Sequence, residues 1–309
     1  MAFEGKDILA LKTYTREELD YILDTAQKFE GIAGGRERSN LLDGKILATA
    51  FFEPSTRTRN SSEAAMLRLG GGVIGFDSPE GTSVAKGESL EDTVKTLGQY
   101  SDVIVVRHSQ IGSAHRAAEA TDVPVINGGD GSNEHPTQGL LDLYTIRKEK
   151  GGIDGLKVAI AGDIKHTRSA HSLAYGLSNY KVKQYFVAPQ PLQLQEEMER
   201  ELVKRGVEFE KLSSITEVID KVDVLYVTRL QEERFPNQKE AEKFRGSYTI
   251  YPRLLEKAKK EMIIMHHLPR LWEIPLEVDE TPHARYFQQE FYGLVVRCAL
   301  LCLVLGAIN

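Results

Sequence analysis

A chain of 309 residues is longer than one average domain and suits two α/β lobes with separate cores. Its net charge of -6, with no concentrated basic stripe, excludes nucleic acid as the main partner, because phosphate-backbone binding needs clustered Lys and Arg. Small anions stay open, since a local site can be positive on an acidic protein.

The N-terminal stretch MAFEGKDILALK places charges inside every short apolar run. It lacks the hydrophobic core of a signal peptide, and the expected compartment is cytoplasmic. Thr15-Arg16-Glu17-Glu18 reads as a capping box opening a first helix. Lys45 to Phe52 is a predicted strand, and Arg57 to Leu69 carries apolar residues at helical spacing. Ser55, Thr56, Arg57 and Thr58 therefore fall on a strand-to-helix junction, where unpaired backbone N–H groups and the positive end of the helix dipole converge. The hydroxyls add neutral donors, and the planar guanidinium of Arg57 can grip two phosphate oxygens. A helix cap needs one such residue, so the polar run STRTR reads as a phosphate cradle.

A strand at Gly72 to Phe76 follows. Gly70, Gly72 and Gly75 match G-x-G-x-x-G but precede that strand, so they read as a helix stop and turn. Ser83 to Ser89 is a polar loop flanked by Gly81, with Ser89 capping the next helix; on the residues alone, Lys86 reads as solvent-exposed. The strand Asp102 to Val106 delivers Arg107 and His108 to its carboxyl end. Val123 to Ile126 leads into the glycine-rich Asn127 to Asn133, which with Lys148 to Gly155 is the natural place for a boundary. Pro136 at a first helical position puts His135 and Gln138 at a helix start, where the imidazole can donate to a carbonyl oxygen and the amide can read an NH₂ group.

Beyond residue 130 the predicted strands are Lys157 to Ala161, Lys183 to Val187, Val222 to Val227 and Met262 to Met265. The first runs into Gly162-Asp163 and Arg168, with one glycine where a dinucleotide site needs three. Thr228-Arg229-Leu230-Gln231 offers a guanidinium and an amide on one side of an extended segment, a pair that suits a carboxylate. His266 and His267 are adjacent on an extended chain and are expected to point opposite ways, while His166 and His171 miss the one-turn spacing of a helical metal pair; no metal is expected. Gly293 to Gly306 is the most apolar run, too short for a bilayer and interrupted by Arg297, and reads as a buried terminal helix rather than a membrane span. Cys298 and Cys302, one turn apart within it, read as packed thiols.

Strands alternating with amphipathic helices give an α/β fold of two similar lobes. Each is a mainly parallel sheet with helices on both faces, and ligands are expected beyond the carboxyl ends of the strands, in the cleft between the lobes. Taken together, Ser55-Thr56-Arg57-Thr58-Arg59, the Lys86-Gly87-Glu88-Ser89 loop, Arg107-His108, His135-Pro136-Thr137-Gln138, Gly162-Asp163 with Arg168, Thr228 to Gln231, and Leu268-Pro269-Arg270 resemble the catalytic chains of aspartate carbamoyltransferases. The likeness covers essentially the whole chain. STRTR and HPTQ mark carbamoyltransferases in general, whereas the Ser83 to Glu88 loop, Arg229 with Gln231, and Leu-Pro-Arg in place of Cys-Leu-Pro mark the aspartate branch.

The resemblance implies a carbamoyl-phosphate-binding domain over 1–135 and 286–309 and an aspartate-binding domain over 136–285. Carbamoyl phosphate binds first, at Ser55, Thr56, Arg57, Thr58, Arg107, His135 and Gln138, with the Leu268 and Pro269 carbonyls positioning the reacting nitrogens. Aspartate is then bound by Lys86, Arg168, Arg229 and Gln231, with Arg168 on its α-carboxylate and Arg229 with Gln231 on its side-chain carboxylate, while Arg57 and Lys86 neutralise the departing phosphate. No cofactor is implied. Family members form a homotrimer with shared active sites, in which Ser83 and Lys86 come from the adjacent subunit; whether regulatory chains join a larger assembly is left open. Glu53 bridges to Arg168 and Arg234 on closure, the terminal helix returns to the first lobe, and the Leu268–Pro269 bond is cis. His267, Glu134, Leu271-Trp272 and His166-Thr167 depart from the family pattern without removing a side-chain ligand. Two rivals differ at definite points. A non-catalytic anion-binding protein would have lost donors, and an enzyme using ornithine would carry an acidic residue in place of Arg229.

Overall fold

The Glu18 backbone N–H donates to the Thr15 hydroxyl and the Thr15 N–H to the Glu18 carboxylate, at 3.3 and 3.0 Å, which is the reciprocal cap read from the sequence. It opens helix α1 (Arg16–Gln27), followed by α2 (Glu30–Ala33), β1 (Ile46–Phe51), α3 (Arg57–Arg68), β2 (Gly72–Phe76), α4 (Leu90–Gly98), β3 (Val103–His108), α5 (Ser113–Glu119), β4 (Val125–Asp130) and α6 (Pro136–Lys150). The four strands form one parallel sheet in the order β2-β1-β3-β4. The chain continues through β5 (Lys157–Ala161), α7 (Arg168–Leu177), β6 (Lys183–Val187), α8 (Glu196–Lys204), β7 (Phe209–Leu212), β8 (Val224–Val227), α9 (Gln238–Glu242), α10 (Pro252–Leu255) and β9 (Ile263–His266), and ends in α11 (Tyr286–Val304). Strands β5 to β9 make a second parallel sheet, ordered β7-β6-β5-β8-β9. This computed structural model describes residues 3–308. The chain divides into two compact units, one running through Tyr144 and resuming at Glu290, the other Thr145–Gln289; the divisions fall inside α6 and α11.

Parallel sheets covered on both faces need apolar runs instead of alternation. In β1 and β3, Ala48, Ala50, Ile104 and Val106 join Leu90 and Val94 of α4, Ala117 of α5 and Val125 in one buried cluster. Val105, on the opposite side of the strand, lines a small cavity with Leu300 and Leu301 of α11.

Two expectations need correction. In the glycine-rich stretch read as a natural place for a boundary, Asn127 to Asp130 are the last four of the six residues of β4, buried throughout. A Cβ on Gly128 would lie 3.2 Å from Val105 and Val106 and 3.5 Å from Thr58, so the missing side chains let α3 close over the strand. The ninth strand among the described residues, β7, has no counterpart among the predicted strands. It is an edge strand whose Glu210 and Lys211 are exposed, and its hold on the sheet is Phe209, packed edge-on against Phe186 at 5.7 Å. Short charged edges of this kind carry almost no apolar signal.

Helix α11 is long and apolar enough to cross a membrane by composition, but 67% of its most apolar window is buried against the protein. Its contacts explain this. Tyr292 meets Tyr144 at 5.4 Å and the Gly5 N–H donates to Val304 O at 2.9 Å. Cys298 and Cys302 are free and buried, and burial pushes both thiols up to about 12. In native protein at pH 8 neither is expected to react with an aromatic disulfide reagent, whereas both react after unfolding. Prompt labelling of the native protein would show that α11 opens readily.

Candidate active site

The junction between β1 and α3 keeps its donors. Thr56 stands at the cap position with helical backbone angles and makes no capping bond, and the Thr56 hydroxyl is exposed with Ser55 half-buried beside it. The Nε of Arg57 lies 3.8 Å from Glu290, a carboxyl that burial pushes upward against the pull of Arg57 and Arg297. Arg59 is held by Glu63 and Asp77, both at 2.7 Å, and is not part of the cradle.

Thr58 is buried with its hydroxyl 3.1 Å from Nε2 of His135, which joins the first helical motif to the second. Arg107 is the penultimate residue of β3, not a residue beyond it, because the strand runs on to His108; its guanidinium donates to Gly128 O at 3.4 Å and lies 3.7 Å from Glu53. Gln138 donates its amide NH₂ to Asp142 at 2.9 Å. An ionised carboxylate only accepts, so this bond fixes the amide and leaves its oxygen as the acceptor for another N–H. Upstream, the fully buried Asp130 carboxylate collects the side chain of Asn127, the side chain of Asn133 and the N–H of Glu134, setting the turn that delivers His135. Glu134, one of the departures, is buried because it accepts the N–H groups of Leu11 and Lys12 at 2.8 and 3.5 Å. The structure therefore brings Thr58, Arg107, His135 and Gln138 to one edge of the first sheet. Ser83 and Lys86 differ. They are exposed on a loop of two 3₁₀ turns, and among the described residues Lys86 forms no ion pair.

In the second unit the organiser is Asp163. Fully buried, it accepts the N–H and the Nδ1 of His166 and the N–H of Gln231, at 3.2, 2.9 and 3.0 Å, tying the turn that opens α7 at Arg168 to the segment after β8. Gly162 has φ +115, and a Cβ there would lie 2.4 Å from Thr228 O, so only glycine lets these strand ends approach. Arg229 donates to Leu230 O at 2.9 Å and grips Glu233 through both terminal nitrogens, one at 3.0 Å. Burial alone would lower its pKa, and Glu233 more than reverses this, so the guanidinium stays charged and oriented.

After β9, Leu268 is left-handed at φ +48 and its bond to Pro269 is cis, as the resemblance implied. A left-handed leucine costs roughly 1–2 kcal/mol and needs outside support. His266 supplies it, accepting the Leu268 N–H on Nδ1 at 2.8 Å while Nε2 meets Glu273 at 2.9 Å, with both side chains fully buried. The expectation that His266 and His267 diverge is wrong. Their rings stack 5.1 Å apart, because the strand ends at His266 and its alternation does not extend to His267. Among the described residues no three His, Cys, Asp or Glu side chains gather as a metal requires. Burial raises the Glu273 pKa, but hydrogen bonding to His266 outweighs it and holds the group below the usual 4.5. A lowered folded pKa means stability present above the unfolded value and lost as pH falls through the folded one. Glu273→Gln is expected to flatten the loss of stability below about pH 4.5 in denaturant titrations; parallel acid curves for both proteins would remove this assignment.

Asp142, Glu233 and Glu273 are the residues that sequence reasoning missed, and Asp163, named there only within the Gly162-Asp163 motif, was given no role as an organiser. Gln138 and Asp142 stand four residues apart on α6, a spacing that signals pairing on a helix, whereas Arg229 and Glu233 have the same spacing on irregular backbone, where it signals nothing. Asp163 and Glu273 hold partners brought in by the fold and carry no such signal.

Two parallel α/β units with anion-ready guanidinium, imidazole and amide groups at their strand ends define a two-domain α/β protein built to handle small anionic substrates. Residues 6–148 match the model of the aspartate/ornithine carbamoyltransferase carbamoyl-P binding domain, and residues 154–304 match that of the Asp/Orn binding domain. The aspartate carbamoyltransferase catalytic subunit of Methanosarcina mazei is 51% identical over the full length of both chains. The M. jannaschii aspartate transcarbamoylase catalytic subunit superposes with a TM-score of 0.88 at 50% identity, covering 96% of each chain. The Trypanosoma cruzi aspartate transcarbamoylase, solved with carbamoyl aspartate and phosphate, gives 0.92 at 40% identity, covering 98% of this chain and 97% of that one. The chain belongs to the aspartate/ornithine carbamoyltransferase family.

Proposed function

We infer that the chain is an aspartate carbamoyltransferase. It moves the carbamoyl group of carbamoyl phosphate to the amine of L-aspartate, giving N-carbamoyl-L-aspartate and phosphate, an early step of pyrimidine synthesis. The observation that carries the reading is the buried contact of Thr58 with His135, within the segment matched to the carbamoyl-P binding domain. Ser55, Thr56 and Arg57 take the phosphate. Thr58, Arg107 and His135 donate to the carbonyl oxygen, where negative charge develops as the amine attacks, and the Gln138 oxygen takes a carbamoyl N–H. Arg168 and the Arg229–Gln231 pair hold the two aspartate carboxylates, and the Leu268 and Pro269 carbonyls align the nitrogens. The C–N bond forms from the neutral amine, the C–O bond to phosphate breaks, and the departing phosphate can accept the amine proton. Neither a covalent enzyme intermediate nor a cofactor is needed. In this reading the protein is a cytoplasmic homotrimer in which Ser83 and Lys86 serve the neighbouring subunit's site.

A colorimetric assay for carbamoyl aspartate, run with aspartate and with ornithine, tests the reading; product from ornithine alone, or from neither, overturns it. Arg229→Ala is expected to raise the aspartate KM by about 10- to 100-fold, the worth of a charged hydrogen-bonded pair of roughly 1.5–3 kcal/mol, with carbamoyl phosphate binding nearly unchanged. Equal losses for both substrates would make Arg229 structural.

A further inference from the structure

The first turn of α6 carries a hydroxyl that no role above uses. Thr137 Oγ1 lies 3.2 Å from Nη2 of Arg297 and 3.3 Å from Nδ1 of His135, and all three side chains are buried. A guanidinium only donates, so Arg297 occupies a lone pair of the hydroxyl and leaves the hydroxyl proton for the ring nitrogen. Nδ1 then accepts, and the ring proton sits on Nε2, the atom that faces Thr58 at 3.1 Å. The guanidinium is fixed in turn by its donation to Gly293 O at 3.0 Å, and a Cβ on Gly293 would come within 2.9 Å of it, so glycine keeps its place clear. Burial draws the Arg297 pKa down to about 10, which still leaves it cationic at neutral pH.

We propose, building on the carbamoyl-transfer reading, that Arg297 and Thr137 are positioning residues that hold His135 as the neutral Nε2–H tautomer, the form that donates to the substrate carbonyl oxygen. The bonds run in one direction, from Arg297 to Thr137 to His135 to Thr58, so each donor is polarised by the one before it. Without substrate the Nε2 proton rests on the Thr58 hydroxyl; with substrate bound it turns to the carbonyl oxygen, and the threonine proton is available for the same oxygen. The other tautomer would turn a lone pair toward that oxygen and lose the contact as charge builds up. A residue of the terminal helix thereby acts on the chemistry through two intermediaries.

The test pairs kinetics with nitrogen NMR of the His135 ring in ligand-free protein, assigned by comparison with His135→Asn. The parent should show a bare Nδ1 and a protonated Nε2. Thr137→Val keeps the shape and removes the hydroxyl; it should populate the other tautomer and lower kcat about 10- to 100-fold, the usual loss when the group orienting a functional histidine is removed, with little change in aspartate KM. Thr137→Ser should restore both. A parent ring protonated on Nδ1, a valine variant within twofold of the parent, or a serine variant as impaired as valine would each overturn the proposal. Should the valine variant fail to fold, the parent spectrum and the serine variant still decide. If no protein, parent included, forms carbamoyl aspartate, the carbamoyl-transfer reading fails, and ring protonation alone then judges the hold on the tautomer.

Discussion

Replacing Arg57 with alanine is expected to lower kcat about 100- to 1000-fold while leaving aspartate KM nearly unchanged. Charge moves onto the phosphate as the C–O bond breaks, so a guanidinium at the mouth of α3 stabilises the transition state more than the ground state. Removing one such donor costs roughly 3–4 kcal/mol in comparable sites. The neutral hydroxyls of Ser55 and Thr56 and the helix N-terminus remain in the variant, so phosphate still binds while the departing charge goes unmatched. Initial-rate kinetics with both substrates varied would decide it. Turnover within about twofold of the parent corresponds to well under 1 kcal/mol and would remove Arg57 from the chemistry.

The second large effect is a recovery. On the proposal of a homotrimer with shared sites, the Lys86→Ala and Arg57→Ala proteins should each be nearly inactive, yet unfolding them together and reassembling them should restore part of the activity. Lys86 is exposed on its loop and forms no ion pair among the described residues of its own chain, which is the state expected of a side chain lent to a neighbour. In a head-to-tail ring, about one interface in four would join an intact loop to an intact cradle by random mixing. Verified hybrid trimers as dead as their parents would return Lys86 to its own subunit's site.

Much of this architecture was legible because parallel sheets announce themselves. β2, β5 and β6 coincide with runs of β-branched and aromatic residues bounded by glycine or charge, and Pro136 marked the start of α6 without ambiguity. The glycine-rich half of β4 stayed hidden because its glycines answer to the approach of α3, a partner more than sixty residues upstream. The candidate site divides in the same way. Residues proposed to meet a ligand sit in short motifs at strand ends and can be read locally. Residues that aim them, such as Asp163 for the Gln231 segment, Glu273 for His266 and Arg297 for Thr137, are joined only by folding, and their chemistry in isolation is that of an ordinary carboxylate or an ordinary helix cation.

The first unit is discontinuous, and this bears on how it is made. Residues through Tyr144 leave the ribosome early, but the face of their sheet that carries Val105 is not fully covered until the helix from Glu290 onward has been translated. The intervening unit, Thr145–Gln289, is contiguous and can close on itself while still tethered to the peptidyl-transferase centre. Nascent chains usually mature from the N-terminus onward. Here the N-terminal sheet waits for Leu300 and Leu301 to close over Val105, and the second unit is expected to become protease-resistant first. A ribosome stalled before codon 290 would then hold a nascent polypeptide with a finished middle and an unfinished beginning.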